Sequence, residues 1–162
     1  MTERPDVSVI IPMHNASATI SGLVESFLQV DTASVEVVVV DDASTDGSAE
    51  QVLALDRPEV VVEQLPTNQG AGIARNHGFA RATGRYSLFF DADDEIHPVA
   101  LTSAIGALDD TGCDVAVLPY RYRRGSSTQF EGMNSFDLGA WGRYATAPRR
   151  RSRCRPAPRS RR

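Results

Sequence analysis

The chain has 162 residues, of which 41% are hydrophobic and 23% charged, with a formal net charge of −4, the balance of one soluble globular domain. No apolar run approaches the roughly 20 residues of a membrane span, and the amino terminus lacks the pattern of a secretory signal, so we expect a cytoplasmic protein. All 17 basic residues are arginine, and the absence of lysine excludes chemistry that requires a lysine amine, such as a pyridoxal Schiff base or a Walker A phosphate site.

Strands and helices are predicted to alternate along the chain. The predicted strands are short runs rich in β-branched or aromatic residues, at 7–11, 35–40, 60–62, 86–90 and 114–122. The predicted helices have apolar residues at helical spacing or helix-start signals, at 20–28, 48–55, 72–82 and around 101–108. This alternation predicts an α/β domain, with a mostly parallel sheet and helices on both faces.

The tail of the chain differs from the body in charge. Residues 1–148 contain nine arginines and all 21 acids, a formal charge of −12, whereas residues 149–162 contain eight arginines and no acid, a charge of +8. The tail also lacks apolar periodicity, so we predict that it is disordered. It could attract a polyanion or the inner face of a membrane, which keeps a binding module open as an alternative to an enzyme. Because the tail has no aromatic residue to stack bases, we expect no specific nucleic acid partner.

Polar residues gather where three predicted strands end. They are Pro12 to Asn15 after the first strand, Asp41 and Asp42 after the second, and Asp91, Asp93 and Asp94 after the fourth. In a doubly wound sheet the ligand lies beyond the carboxyl ends of the strands, so we expect these residues to share one site. Such concentrated carboxylates suit Mg²⁺ or Mn²⁺, which also bridge phosphate oxygens. The alternative is that the aspartates only cap helices and turns.

A glycine-containing segment precedes the third predicted helix. Gly70 and Gly72 resemble a dinucleotide-binding fingerprint, but Arg75 occupies its final glycine position and the segment does not follow the first strand. The glycines are interpreted as permitting a tight entry into the helix, one turn before Arg75, which is then available to an anion or a carboxylate. His14 is interpreted as a packing or capping residue rather than a base.

Six segments occur in an order and spacing that together are specific, namely residues 7–15, 38–48, 68–70, 74–78, 82–86 and 90–94. They resemble the amino-terminal, nucleotide-sugar-binding half of a family 2 glycosyltransferase, whose domain has the Rossmann-like GT-A fold. The resemblance covers about residues 6–122. We therefore predict a nucleotide-sugar-binding domain at 1–122, a partial or degraded continuation at 123–148 and the tail at 149–162.

The resemblance implies the site and the reaction. Its nucleotide-binding residues would be Pro12, Asn15, Asp42, Gly70, Arg75 and Asp91. Asp91-Ala92-Asp93 matches the family's DxD motif, in which Asp93 would bind Mn²⁺ or Mg²⁺ directly, while Asp91 would face the ribose or sugar and is the second candidate ligand. The reaction would transfer a sugar from a nucleoside diphosphate, usually UDP, to a hydroxyl of a carbohydrate or lipid-linked acceptor, with inversion. Polysaccharide or cell-wall synthesis is the implied setting.

No catalytic residue is identified from the sequence. The family places its general base in a second half beyond the DxD strand, and the similarity here fades near residue 122. We therefore expect little or no turnover from this chain alone. A nucleotide-binding module without transferase activity remains an alternative. A nucleotidyltransferase also uses paired aspartates and a metal, but it typically has a glycine-rich basic loop after the first strand, and Pro12 to Ser17 contain neither glycine nor a basic residue.

Overall fold

A computed structural model describes residues 4–118, 122–124 and 127–129. The chain divides into two compact units, Met1–Thr102 and Ser103–Arg162. Residues 149–162 and most of the 123–148 segment lie outside the described residues, so the predicted tail and domain boundaries stay predictions. Among the described helices none is long and apolar enough to cross a membrane.

The first unit is built on a parallel sheet. Its strands are β1 (Val7–Met13), β2 (Val35–Asp41), β3 (Val60–Gln64) and β4 (Tyr86–Phe89), in the spatial order β3-β2-β1-β4. The helices of the described residues are α1 (Ile20–Leu28), α2 (Ser48–Leu53), α3 (Ala71–Arg81) and α4 (Pro98–Thr111), the last of which runs across the boundary between the units. The predicted α/β architecture is confirmed, and the bounds of α1 are those read from the apolar spacing.

The helices cover both faces of the sheet because the chain reverses direction across it. The connections from β1 to β2 and from β2 to β3 move toward one side of the sheet, whereas the connection through α3 returns past β1 to β4 on the other side. Because each crossover is right-handed, α3 lies on the face of the sheet opposite to α1 and α2. On the α3 face, Ile10, Val38 and Val40 form a buried cluster with Ala74. The alternate residues of the same strands are also fully buried and point to the other face.

The strand register brings the polar segments to one edge. β1 pairs with β2 from Val7 opposite Val35 to Met13 opposite Asp41, so both strands end together. β4 pairs with the other side of β1, and the Phe90 N–H donates to the Ile10 carbonyl at 3.0 Å. The segments that follow β1, β2 and β4 therefore emerge side by side, at the edge where the sequence placed a ligand site.

The predicted fifth strand at 114–122 is wrong at residues 114–118. Residues 114–118 are not in a strand, and Val115 and Val117 are 66% and 50% exposed. A strand begins at the end of the predicted segment instead, where β5 (Tyr122–Arg124) pairs antiparallel with β6 (Ser127–Gln129). Alternating valines favour an extended backbone, but a strand also needs a partner for its backbone hydrogen bonds, which local sequence does not supply.

A polar network that is buried at Ser8 and Gly84 lies at the opposite edge of the sheet, where the strands begin. The Ser8 hydroxyl donates to Glu36 and accepts the Gly84 N–H at 2.8 Å, and Glu36 also accepts the Thr83 N–H at 2.9 Å. Burial raises the pKa of Glu36, but the hydrogen bonds from Ser8 and Thr83 outweigh it and hold the pKa below its ordinary value. This network holds the residues that directly precede β4. It thereby helps to position β4, which is followed at the other edge of the sheet by the DxD segment.

Replacing Gly84 with alanine is expected to lower the free energy of unfolding by about 1–3 kcal/mol, the usual cost of overpacking. A Cβ at this position would lie 2.5 Å from the Ser8 backbone nitrogen and 2.7 Å from the Val7 carbonyl carbon, so backbone would have to move. The control is Gly22→Ala in α1, where a Cβ meets no described atom within 4 Å; it should raise stability by about 0.5–1 kcal/mol. Urea unfolding of both variants measures this, and equal midpoints would contradict it.

Candidate functional site

Hydrogen bonds join the loops after β1 and β2. The Asn15 N–H donates to the Ser44 hydroxyl and its side-chain oxygen accepts the Thr45 N–H, both at 2.9 Å. His14 Nδ1 lies 2.8 Å from the Asp42 carbonyl oxygen, which can only accept, so Nδ1 carries the proton and Nε2 accepts from the Asn15 amide at 3.2 Å. His14 therefore acts as a brace, in agreement with its interpretation as a packing or capping residue.

The same two loops hold strained backbone. Asn15 has φ 53° and Ala43 has φ 57°, in the left-handed region that residues other than glycine rarely adopt. Asparagine tolerates this region, but alanine pays about 1–2 kcal/mol for it. Strain of this kind persists only where the surrounding contacts fix the conformation, and it clusters at ligand sites. Here the hydrogen bonds of His14 and Asn15 fix the conformation of the two loops.

Asp46 secures the start of α2 to the first loop. Its carboxylate accepts the Ser17 N–H at 3.0 Å and the Ser48 N–H at 3.1 Å, together with the Ser48 hydroxyl. The Ser48 hydroxyl and then the Ser17 N–H hold the pKa of Asp46 well below its ordinary value. Asp46 therefore connects the start of α2 to the loop after β1.

Asp42 organises the loop before α3. Its side chain is buried, with the residue only 3% exposed, and its two carboxylate oxygens accept the N–H groups of Gln69 and Gly70, each at 2.7 Å. Gly70 has φ 88°, which favours glycine, and directly precedes α3. The Asp42 N–H in turn donates to the Met13 carbonyl at 2.7 Å. Asp42 therefore links three segments of the site, a structural role that the sequence analysis did not predict.

The predicted nucleotide-binding residues form two groups. Pro12 is buried within β1 opposite Val40 and shortly precedes Asn15 in the chain. The hydrogen bonds between the loops connect this segment to Asp42 and Gly70. Arg75 and Asp91 form the second group, an ion pair between Arg75 Nη2 and Asp91 Oδ1. The predicted availability of Arg75 to a carboxylate is confirmed by this pair. Because both side chains are partly exposed, the pair adds at most about 1 kcal/mol to stability.

The DxD segment after β4 is rich in exposed carboxylates. The Asp94 N–H donates to the Asp91 carbonyl at 3.1 Å, which forms a turn, and burial followed by repulsion from Asp93 and Asp91 raises the pKa of Asp94. Asp93 makes no hydrogen bond or ion pair with any described residue. The Thr19 hydroxyl donates to the Ala92 carbonyl at 2.7 Å and ties the turn to the start of α1.

The donor set fits a hard divalent cation only in part. Nowhere in the described residues do three histidine, cysteine, aspartate or glutamate side chains form a ready metal site. Mg²⁺ is commonly held by one or two carboxylates, with substrate phosphates and water as the other ligands, and Mn²⁺ also suits oxygen ligands. Asp93, exposed and without a described partner, suits that arrangement. The chain thus presents a partial site that a phosphate-bearing ligand would complete.

A cavity of about 370 Å³ lies beside this turn. Its lining residues come from one face of α1 and from the DxD segment: Thr19, Gly22, Leu23, Ser26, Asp93, Asp94, Glu95 and Ile96. Of the predicted site residues, only Asp93 lines it. The carboxylates on its wall repel an anion unless a cation neutralises them.

Comparison with known proteins relates this arrangement to a family. A model of Glycosyl transferase family 2 matches residues 8–158. The succinoglycan biosynthesis protein ExoO of Rhizobium meliloti is 39% identical over 113 residues, which are 70% of this chain and 32% of ExoO.

Two solved structures share the fold. Staphylococcus aureus TarS, residues 1–349, in complex with UDP-GlcNAc, is 36% identical with a TM-score of 0.60, over 67% of this chain and 32% of that one. The mannosyltransferase PcManGT of Pyrobaculum calidifontis, in complex with GDP-Man and Mn²⁺, is 32% identical with a TM-score of 0.59, over 66% and 33%. The chain thus spans about a third of these proteins. On the match to residues 8–158, it belongs to glycosyl transferase family 2.

Proposed function

We propose that this chain is the donor-binding part of a glycosyltransferase that transfers a sugar from a UDP-sugar to an acceptor hydroxyl, with inversion. The proposal rests on the arrangement at the carboxyl edge of the sheet. There the loop held by Asp42 lies on one side and the DxD segment lies on the other. TarS with UDP-GlcNAc supports a nucleotide-sugar donor, and PcManGT with GDP-Man shows that the base differs between relatives.

Hydrogen bonds join the loops of the proposed nucleotide-binding part of the site. Because the hydrogen bonds of Asn15 and Asp42 connect three loops, we expect little loss of conformational entropy when a ligand binds between these loops. The amino terminus of α3, which follows Gly70, presents backbone N–H groups and the positive end of the helix dipole to an anion. We assign Pro12, Asn15 and Asp42 to the base, and Gly70, Arg75 and Asp91 to the rest of the nucleotide.

A divalent cation, Mn²⁺ or Mg²⁺, would be held by Asp93. Bound there, it would neutralise the negative charge of the departing nucleoside diphosphate. PcManGT, crystallised with Mn²⁺, supports a divalent cation without deciding between the two metals. The carboxylates at this edge make a cation all the more necessary for an anionic donor, because their charges repel it.

The acceptor in this proposal is a carbohydrate or a lipid-linked carbohydrate in polysaccharide or cell-wall synthesis. Similarity to a succinoglycan biosynthesis protein and to TarS, a poly(ribitol-phosphate) beta-N-acetylglucosaminyltransferase, supports that setting. A cytoplasmic location, with contact to the inner face of the membrane through residues 149–162, is part of the proposal.

The chain is expected to bind UDP more tightly with Mn²⁺ than in the presence of a chelator, because the cation links Asp93 to the diphosphate. Calorimetry of UDP binding measures this for the wild type and for Asp93→Ala, which should lose the gain from Mn²⁺. Asp31→Ala makes the same chemical change at an exposed position between α1 and β2 and should behave as wild type. Equal affinities of wild type and Asp93→Ala in Mn²⁺ would remove the metal assignment, and no UDP binding at all would remove the proposed function.

A further inference from the structure

The DxD turn is attached to α1 at two points. Ala92, the middle residue of the motif, is 8% exposed, whereas the aspartates on either side of it are exposed. The Thr19 hydroxyl donates to the Ala92 carbonyl at 2.7 Å. One residue before the motif, the Phe90 ring meets the ring of Phe27 edge-on, with 5.2 Å between the ring centroids. The backbone of the turn is therefore held from α1, while its two carboxylates face solvent.

The space between α1 and the residues that follow Ala92 is open rather than packed. The cavity of about 370 Å³ lies there, and its α1 wall includes the small residues Thr19, Gly22 and Ser26. A Cβ added to Gly22 would meet no atom of the DxD segment within 4 Å. Since side-chain packing contributes little on this side, the hydrogen bond from Thr19 is the described polar contact that joins the turn to α1.

The Thr19 hydroxyl is not used to cap its own helix. Thr19 directly precedes α1, where a threonine hydroxyl usually accepts an N–H group of the first helical turn. No such bond is made in the structure. The hydroxyl has two carbonyl oxygens within reach, that of Ala92 at 2.7 Å and that of Ala16 at 3.4 Å. Because ordinary O–H···O bonds span about 2.5–3.0 Å, the proton goes to Ala92, and the side chain serves the DxD turn rather than the helix.

We propose that Thr19 is a positioning residue, which holds the DxD turn and thereby places Asp93 for the divalent cation. Ala92 is bonded to Asp93 in the chain, so a shift of the Ala92 carbonyl moves the carboxylate as well. The affinity of a metal depends on the groups that orient its ligands, not only on the ligands. This inference rests on the proposed function, because it takes Asp93 as the ligand of the cation.

The test is calorimetry of UDP binding, with Mn²⁺ and with a chelator, for wild type, Thr19→Val and Thr19→Ser. Valine keeps the shape of threonine without the hydroxyl, so Thr19→Val should reduce the gain from Mn²⁺ about three- to tenfold, the effect of one neutral hydrogen bond. Its affinity for UDP in chelator should stay within about twofold of wild type, because the loops after β1 and β2 keep their hydrogen bonds. Thr19→Ser keeps the hydroxyl and should retain most of the gain.

Thr32→Val is the matched control for this substitution. The Thr32 hydroxyl lies 2.8 Å from the Thr102 hydroxyl and contacts no described residue of the DxD segment. The control should therefore bind UDP as wild type does, both with Mn²⁺ and with the chelator. A loss of folding in Thr19→Val would weaken UDP binding with the chelator too, and thermal unfolding of each variant measures it directly.

Two results would overturn the inference. If the gain from Mn²⁺ in Thr19→Val equals that of wild type, the turn is placed without Thr19, whether or not the affinity for UDP has fallen. If Thr19→Ser loses as much of the gain as Thr19→Val, the hydroxyl is not the group that acts. In both cases the wild type still gains from Mn²⁺ and the proposed function stands, whereas a wild type that binds no UDP removes the proposed function and this inference together.

Discussion

Replacing Asp42 with asparagine is expected to weaken UDP binding by about ten- to a hundredfold. An amide has one acceptor oxygen, so residue 42 would lose its hydrogen bond from either the Gln69 or the Gly70 N–H, at a position that is only 3% exposed. The loop before α3 would then loosen, and any hydrogen bond from the base to the carboxylate would weaken as well. Calorimetry with UDP measures the affinity, and thermal unfolding measures the cost to the fold.

Asp41→Asn is the matched control for this change. Asp41 is the neighbouring residue and is equally buried, but its carboxylate accepts from Ser44 N–H and the Gln64 side chain, on the side of β2 toward β3. We expect it to lower stability with less than a threefold change in UDP affinity, well within the effect of one hydrogen bond. UDP binding by Asp42→Asn at the wild-type affinity, or an equal loss in both variants, would remove Asp42 from the donor site.

The fold was predictable where local pattern and burial agree. β1 and β2 are valine- and isoleucine-rich because both of their faces are covered, and α1 has apolar residues at helical spacing because one face of it packs inward. The segment at 114–118 has the same valine alternation, yet it is not a strand. The difference lies in the pairing partner, which is a property of the whole chain rather than of the segment.

The residues of the candidate site could be predicted from the sequence, but the contact partner of each residue could not. The aspartates after β2 and β4 were identified because carboxyl ends of parallel strands converge. The contacts of Asp42 with Gln69 and Gly70 were not, because they join positions 27 and 28 residues apart through backbone N–H groups, which carry no signal in side-chain identity. The pairing of Arg75 with Asp91 was also not predictable. The sequence showed a cation near a cluster of acids without showing which acid it contacts.

The 162-residue chain is expected to bind donor nucleotide better than it transfers sugar. The donor contacts argued above all precede residue 95, whereas no residue is identified as the general base. A transfer without a positioned base is typically 10²–10⁴-fold slower, and one without acceptor positioning is slower still. We therefore expect slow hydrolysis of the donor, with a turnover below about 1 s⁻¹, the low end of ordinary enzymes.

The measurement is nucleotide released from a panel of nucleotide sugars with Mn²⁺, with and without oligosaccharide acceptors. Asp93→Ala is the background control, because it should lose the metal contribution while the fold stays intact. Turnover above about 1 s⁻¹ on any acceptor would show that residues beyond the DxD segment supply a base. Glu131 and Asp137, the acids that follow Asp114 in the sequence and lie outside the described residues, would then be the first positions to replace. Loss of that turnover in Glu131→Gln or Asp137→Asn, with UDP affinity unchanged, would identify the base.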